Sequence, residues 1–102
     1  MCYIFAGQSP ENYQFVSRSV RLGGHSTSVR LESKFWTVID EIATVQHMTT
    51  GQFLSLLYDE ATDLHGDISN FASLLRCSCV MYLSQPEKVL KTAKQQLHAQ
   101  AH

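Results

Sequence analysis

No hydrophobic run in this chain approaches the roughly 18 residues that a membrane-spanning helix needs. Two enzymatic signatures are missing as well. There is no G-x-x-x-x-G-K followed by Ser or Thr, and no G-x-S-x-G. Acids stand side by side at Asp40–Glu41 and Asp59–Glu60, but on a predicted helix such neighbours form a solvated face, so the chain is not expected to be an enzyme. Cysteine is scarce and odd in number, with Cys2, Cys77 and Cys79, which argues against a disulfide framework. The first residues, MCYIFAGQSPENYQF, lack a basic leader and a long apolar core, so the expected location is the cytoplasm, with reduced thiols. Positive charge is absent over a long stretch: no Lys or Arg lies between Phe35 and Leu75, where Asp40, Glu41, Asp59, Glu60, Asp63 and Asp67 all fall.

The cations lie instead toward the N-terminal side. Arg18, Arg21, Arg30 and Lys34 share a short stretch whose one acid is Glu32. The net charge of −1 therefore conceals a basic edge, and such an edge can meet phosphates. With 44% hydrophobic and 17% charged residues over 102 positions, the chain suits one small globular domain with tails. A core of that size is modest, and a dimer interface would add to it.

Ser26–Leu31 is the most informative segment. Thr27, Val29 and Leu31 alternate with Ser26, Ser28 and Arg30, the period of a half-buried strand. No partner strand of matching length is evident, so pairing with a second copy of itself would satisfy its backbone. Cys2–Ala6 and Val20–Leu22 read as further short strands, Gly7 to Asn12 as a turn and Gly23–Gly24 as a turn or bulge.

Helices follow. Ser33 is a plausible N-cap, and Phe35, Val38, Ile39 and Ile42 make one apolar stripe that ends near Gln46–His47. Thr49 and Gln52 form a capping box flanked by Met48 and Phe53, a hydrophobic staple. Phe53, Leu54, Leu57, Ala61 and Leu64 point inward along the second helix, which Gly66 stops. A third helix runs from about Ser69 to Leu83, carries Phe71, Leu74, Leu75 and Tyr82, and is broken by Pro86. Residues 86–102 form a tail with helical spacing at Val89, Leu90, Ala93 and Leu97. Trp36 and Tyr58 are expected in the core or an interface.

Metal binding is not expected. Cys77 and Cys79 are two apart on a helix and do not share a face, and His98 and His102 lie in a tail that frays. No residue group calls for a cofactor.

The stretch SRSVRLGGHSTSVRLESKFWTVIDEIA resembles the ribbon-helix-helix family of DNA-binding proteins, the Arc and MetJ type, and more closely its small bacterial members. The likeness runs from Arg18 to about Glu60 and more loosely through NFASLLRCSCVMYL and the MCYIF start. It implies a mainly α fold with an N-terminal extension at 1–17, a core at 18–66, a third helix at 67–84 and a tail at 85–102. It also implies an intertwined homodimer in which two copies of Ser26–Leu31 pair antiparallel. Ser26, Ser28 and Arg30 would then meet base edges of double-stranded DNA, because a major groove about 12 Å wide admits a two-stranded ribbon. Arg30, with its planar fork, is the best reader, and the serines discriminate weakly. Phosphate contacts would come from the start of the second helix at Thr49, Thr50 and Gly51, with Arg18, Arg21 and His25 beside them.

Two plainer readings stand next to this one. Arg30 and the serines are a solvated strand face in the first, and the Thr49 box is a structural cap alone. In the second the dimer holds a protein partner, as antitoxin-type relatives do.

Overall fold

The computed structural model describes residues 3–85 together with Glu87 and Lys88. A single helical turn, α1 (Tyr3–Ala6), is followed by a 3-10 turn at Pro10–Tyr13. Two strands come next, β1 (Phe15–Leu22) and β2 (His25–Glu32), and then α2 (Ser33–Val45), α3 (Thr50–His65) and α4 (Phe71–Ser84).

The strands form an antiparallel hairpin within one chain, in register from Phe15 opposite Glu32 to Leu22 opposite His25. This corrects the expectation that Ser26–Leu31 has no partner strand in its own chain. Its neighbour is β1, of which only Val20–Leu22 was expected. Arg18 is the reason. Val16, Arg18, Val20 and Leu22 share one face of β1, and a cation in the second of those positions masks the alternation. Gly23 and Gly24 close the hairpin with φ of 58° and 83°, the left-handed pair that a two-residue turn requires. Tyr58 lies 3.2 Å from where a Gly23 Cβ would stand, so α3 seals the tip.

The expected strand at Cys2–Ala6 is also corrected: Tyr3–Ala6 is a helical turn whose Tyr3, Ile4 and Phe5 are exposed. The turn after it is held by Ser9, whose side chain accepts a hydrogen bond from the Glu11 N–H.

The hairpin's inner face covers the helices. Leu22, Val29 and Leu31 join Trp36, Ile39, Ile42, Phe53, Leu54, Leu75 and Cys79 in one core. Trp36 is buried and its indole N–H donates to the Val16 carbonyl at 2.8 Å. Tyr58 meets Phe71 edge to face at 5.6 Å. Two inward expectations fail. Leu64 is 77% exposed at the C-terminal end of α3, and Thr27 is exposed although it shares a face with Val29 and Leu31. The helices of this chain leave that end of β2 uncovered.

Helix ends follow local chemistry except at α2, whose N-cap is Glu32 with no side-chain cap bond, so Ser33 is its first residue and not the expected cap. Thr49 closes both bonds of its capping box with Gln52, at 2.9 and 3.1 Å. His47 takes φ 59° between α2 and α3, and Gly66 takes φ 77° after α3. Asn70 caps α4 by accepting from the Ser73 N–H at 3.1 Å. The tail expected to be helical at Val89, Leu90, Ala93 and Leu97 lies outside the described residues. Among the described residues no helix is long and apolar enough to cross a membrane.

Candidate nucleic-acid interface

Strand parity divides the hairpin into two faces. Ser17, Ser19 and Arg21 of β1 stand with Ser26, Ser28 and Arg30 of β2 on the outer face, and all six are exposed. The one acid of the hairpin, Glu32 at the end of β2, shares this face opposite Phe15 and accepts from Arg76. The serines are short enough for a ligand to reach the backbone level. Ser19 Oγ and Ser26 Oγ lie 3.3 Å apart and share a hydrogen bond.

The backbone of β2 has a defined free edge. The Ser33 N–H donates to the Gln14 carbonyl at 2.7 Å, one step beyond the hairpin register. Hydrogen-bonded pairs alternate along an antiparallel ladder. Val29 and Leu31 therefore bond β1, while Ser26, Ser28 and Arg30 turn their N–H and C=O groups to the opposite side. Among the described residues no further strand pairs there.

The chain's arginines differ in commitment. Arg18 faces inward, donates to both Asp40 oxygens at 2.8 and 3.1 Å, and lies 4.5 Å from the Trp36 ring centre. Arg76 donates twice to Glu32, at 3.1 and 2.7 Å. Arg21 donates to the Gly24 carbonyl at 3.4 Å. Arg30 lies over the Phe15 ring, 4.4 Å from its centre, and donates no hydrogen bond within the described chain.

These positions revise the expected phosphate contacts. Arg18 leaves the set, because its guanidinium is on the wrong face and paired with Asp40. His25 shares the inner face with Thr27 beside the turn, not the face of Ser26. The start of α3 is largely occupied by its own side chains. Thr50 Oγ1 donates to Asp40 Oδ1 at 2.7 Å, and the Thr49 box takes up two further groups. The Asp40 carboxylate is thus the anion beside this helix start. The Arg18 hydrogen bond lowers its pKa; burial opposes that shift and Thr50 adds to it. What remains for an outside phosphate is the pair of N–H groups at Thr50 and Gly51, with open space around Gly51. Sequence reasoning missed the Arg18–Asp40–Thr50 cluster; its one signal was a lone arginine at an inward strand position.

Other chemistry is sparse. Among the described residues no three His, Cys, Asp or Glu side chains converge as metal ligands would. Cys77 is exposed; Cys79 is buried and its thiol pKa is pushed up to about 11 by burial. An apolar groove of about 320 Å³ opens between α2, α3 and α4, lined by Ile42, Phe53, Leu57, Met81 and Tyr82.

Residues 15–83 match the sequence profile of the ribbon-helix-helix domain. A solved structure of an uncharacterized protein from Bordetella pertussis Tohama I is similar to this chain, with 41% identity and a TM-score of 0.81. The likeness covers 86% of this chain and 70% of that one. No curated protein matches.

Proposed function

The chain belongs to the ribbon-helix-helix family, and from that premise we propose that it binds double-stranded DNA as a homodimeric transcriptional regulator. One observation carries the reading: Ser26, Ser28 and Arg30 share an exposed face, whose one acid, Glu32 at its end, is taken up by Arg76, on a strand whose outward backbone groups have no partner strand among the described residues. Two copies of β2 pair through that edge, and their outer faces meet the major groove. The result is a four-stranded sheet with a β1 on each flank. Such a sheet spans about 14 Å between its outermost strands, against a groove about 12 Å wide. The central β2 pair enters, and Ser17, Ser19 and Arg21 face the groove walls. Arg30 reads a guanine edge with its paired donors. Thr50 and Gly51 backbone groups contact phosphate. On this reading the protein is not an enzyme, needs no cofactor and acts in the cytoplasm.

The test is selection of duplexes from a random pool, followed by anisotropy titration across salt. Affinity should fall steeply with salt. Arg30→Ala should weaken binding to the selected duplex by about 1–3 kcal/mol while the dimer persists. Equal affinity of the wild type for every duplex would remove sequence reading.

A second reading has its own observation. Val80, Met81 and Leu83 are exposed on α4, with Met81 lining the apolar groove, and this suits a protein-interaction module of antitoxin type. Its signature would be a stable co-purifying protein, with no salt-dependent DNA binding.

A further inference from the structure

Phe15 is the one apolar side chain on the outer face of the hairpin, and it is 50% exposed there. It contributes nothing to the core cluster. Its contact is with Arg30, whose guanidinium carbon lies 4.4 Å from the ring centre. An arginine over a ring is held by cation–π attraction, which uses none of its N–H donors in a hydrogen bond to an acid. Arg30 donates no hydrogen bond among the described residues, so its N–H donors stay available for a paired acceptor. A carboxylate partner does the opposite: Asp40 consumes the fork of Arg18.

From this we propose that Phe15 is a positioning residue for Arg30. It fixes the guanidinium on the reading face with its donors unspent, and so raises the protein's preference for a guanine at the contacted position. The proposal rests on the DNA-reading function above. It assigns to β1 a part in sequence selectivity, through a residue that contacts no base itself. Holding the side chain before DNA arrives reduces the rotamer freedom lost on binding, and that saving is realised only where Arg30 finds its acceptor pair.

The experiment compares the full-length wild type with Phe15→Leu, Phe15→Tyr, Arg30→Ala and the Phe15→Leu/Arg30→Ala double variant. The probes are the selected duplex and the same duplex with adenine in place of the contacted guanine. Phe15→Leu should weaken binding to the guanine duplex about two- to fivefold, the equivalent of an exposed cation–π contact. Binding to the adenine duplex and the salt slope should be unchanged. Phe15→Tyr should restore the preference, and Phe15→Leu should add nothing in the Arg30→Ala background. An equal loss on both duplexes, or additive losses in the double variant, would overturn the proposal. So would a neutral Arg30→Ala in a protein that still binds DNA, which leaves the DNA function standing. A wild type without salt-dependent binding overturns the function itself. A variant-free measurement guards against misfolding: the Arg30 side-chain protons should be shifted upfield by the ring in NMR spectra, and random-coil shifts would overturn the proposal.

Discussion

Arg18 and Arg30 stand on opposite faces of one hairpin, and the acid within reach decides what each can do. Asp40 lies under Arg18 and ties it to the start of α3 through Thr50. Both side chains of that ion pair keep about 40% of their surface (39% and 43%), so solvent screens much of the attraction. Asp40→Asn should therefore cost only about 0.5–1 kcal/mol at neutral pH, measured by urea unfolding. The pH dependence is the sharper readout. The folded carboxyl has its pKa lowered, with the Arg18 hydrogen bond as the largest cause. Its contribution is present above the ordinary value of 3.8 and is lost as pH falls through the lowered one. Glu32 beside Arg76 behaves in the same sense. Wild type and Asp40→Asn should thus converge in stability as pH falls below that range. A constant difference down to pH ~2 would show that Asp40 acts by packing and not by charge.

At the scale of elements, the caps carry testable weight. Thr49 accepts from the Gln52 N–H, and the same residue's N–H donates to the Gln52 side chain. Thr49→Ala should destabilise the fold by about 1 kcal/mol, read as a lower midpoint in denaturant with an unchanged slope. The start of α3 was legible because a capping box is written in four consecutive residues. The apolar stripe of α2 was legible for a similar reason, since its period is local. β1 was not. Its inner face interrupts Val16, Val20 and Leu22 with Arg18, and the meaning of Arg18 depends on Asp40, a residue on another element. Cys2–Ala6 misled in the other direction. A short apolar run does not distinguish a strand from a helical turn, and Tyr3–Ala6 lacks a paired neighbour that would make it a strand. The outer face was half visible: Ser26, Ser28 and Arg30 alternate openly, but Phe15, Ser17 and Ser19 join them only once the register is known.

At the scale of the whole molecule, the proposed dimer has a test in strand parity, which separates its interface from the fold. Ser28 turns its N–H away from β1, whereas the Val29 N–H bonds β1. Proline lacks an N–H and is tolerated in a strand only where that group is not needed by a neighbour. Ser28→Pro should leave the hairpin and the core intact, because no bond within the chain is removed. Val29→Pro removes such a bond and a buried side chain, so it should unfold the hairpin. If the β2 edges join the two copies, Ser28→Pro loses the central bonds of that ribbon. Sedimentation equilibrium should then report a monomer whose circular dichroism matches the wild type, and its affinity for the selected duplex should collapse, because each half-site is read from its own subunit. A Ser28→Pro protein that remains a dimer would place the contact elsewhere. The exposed Val80, Met81 and Leu83 of α4 and the groove beside them would then be the surface to substitute next.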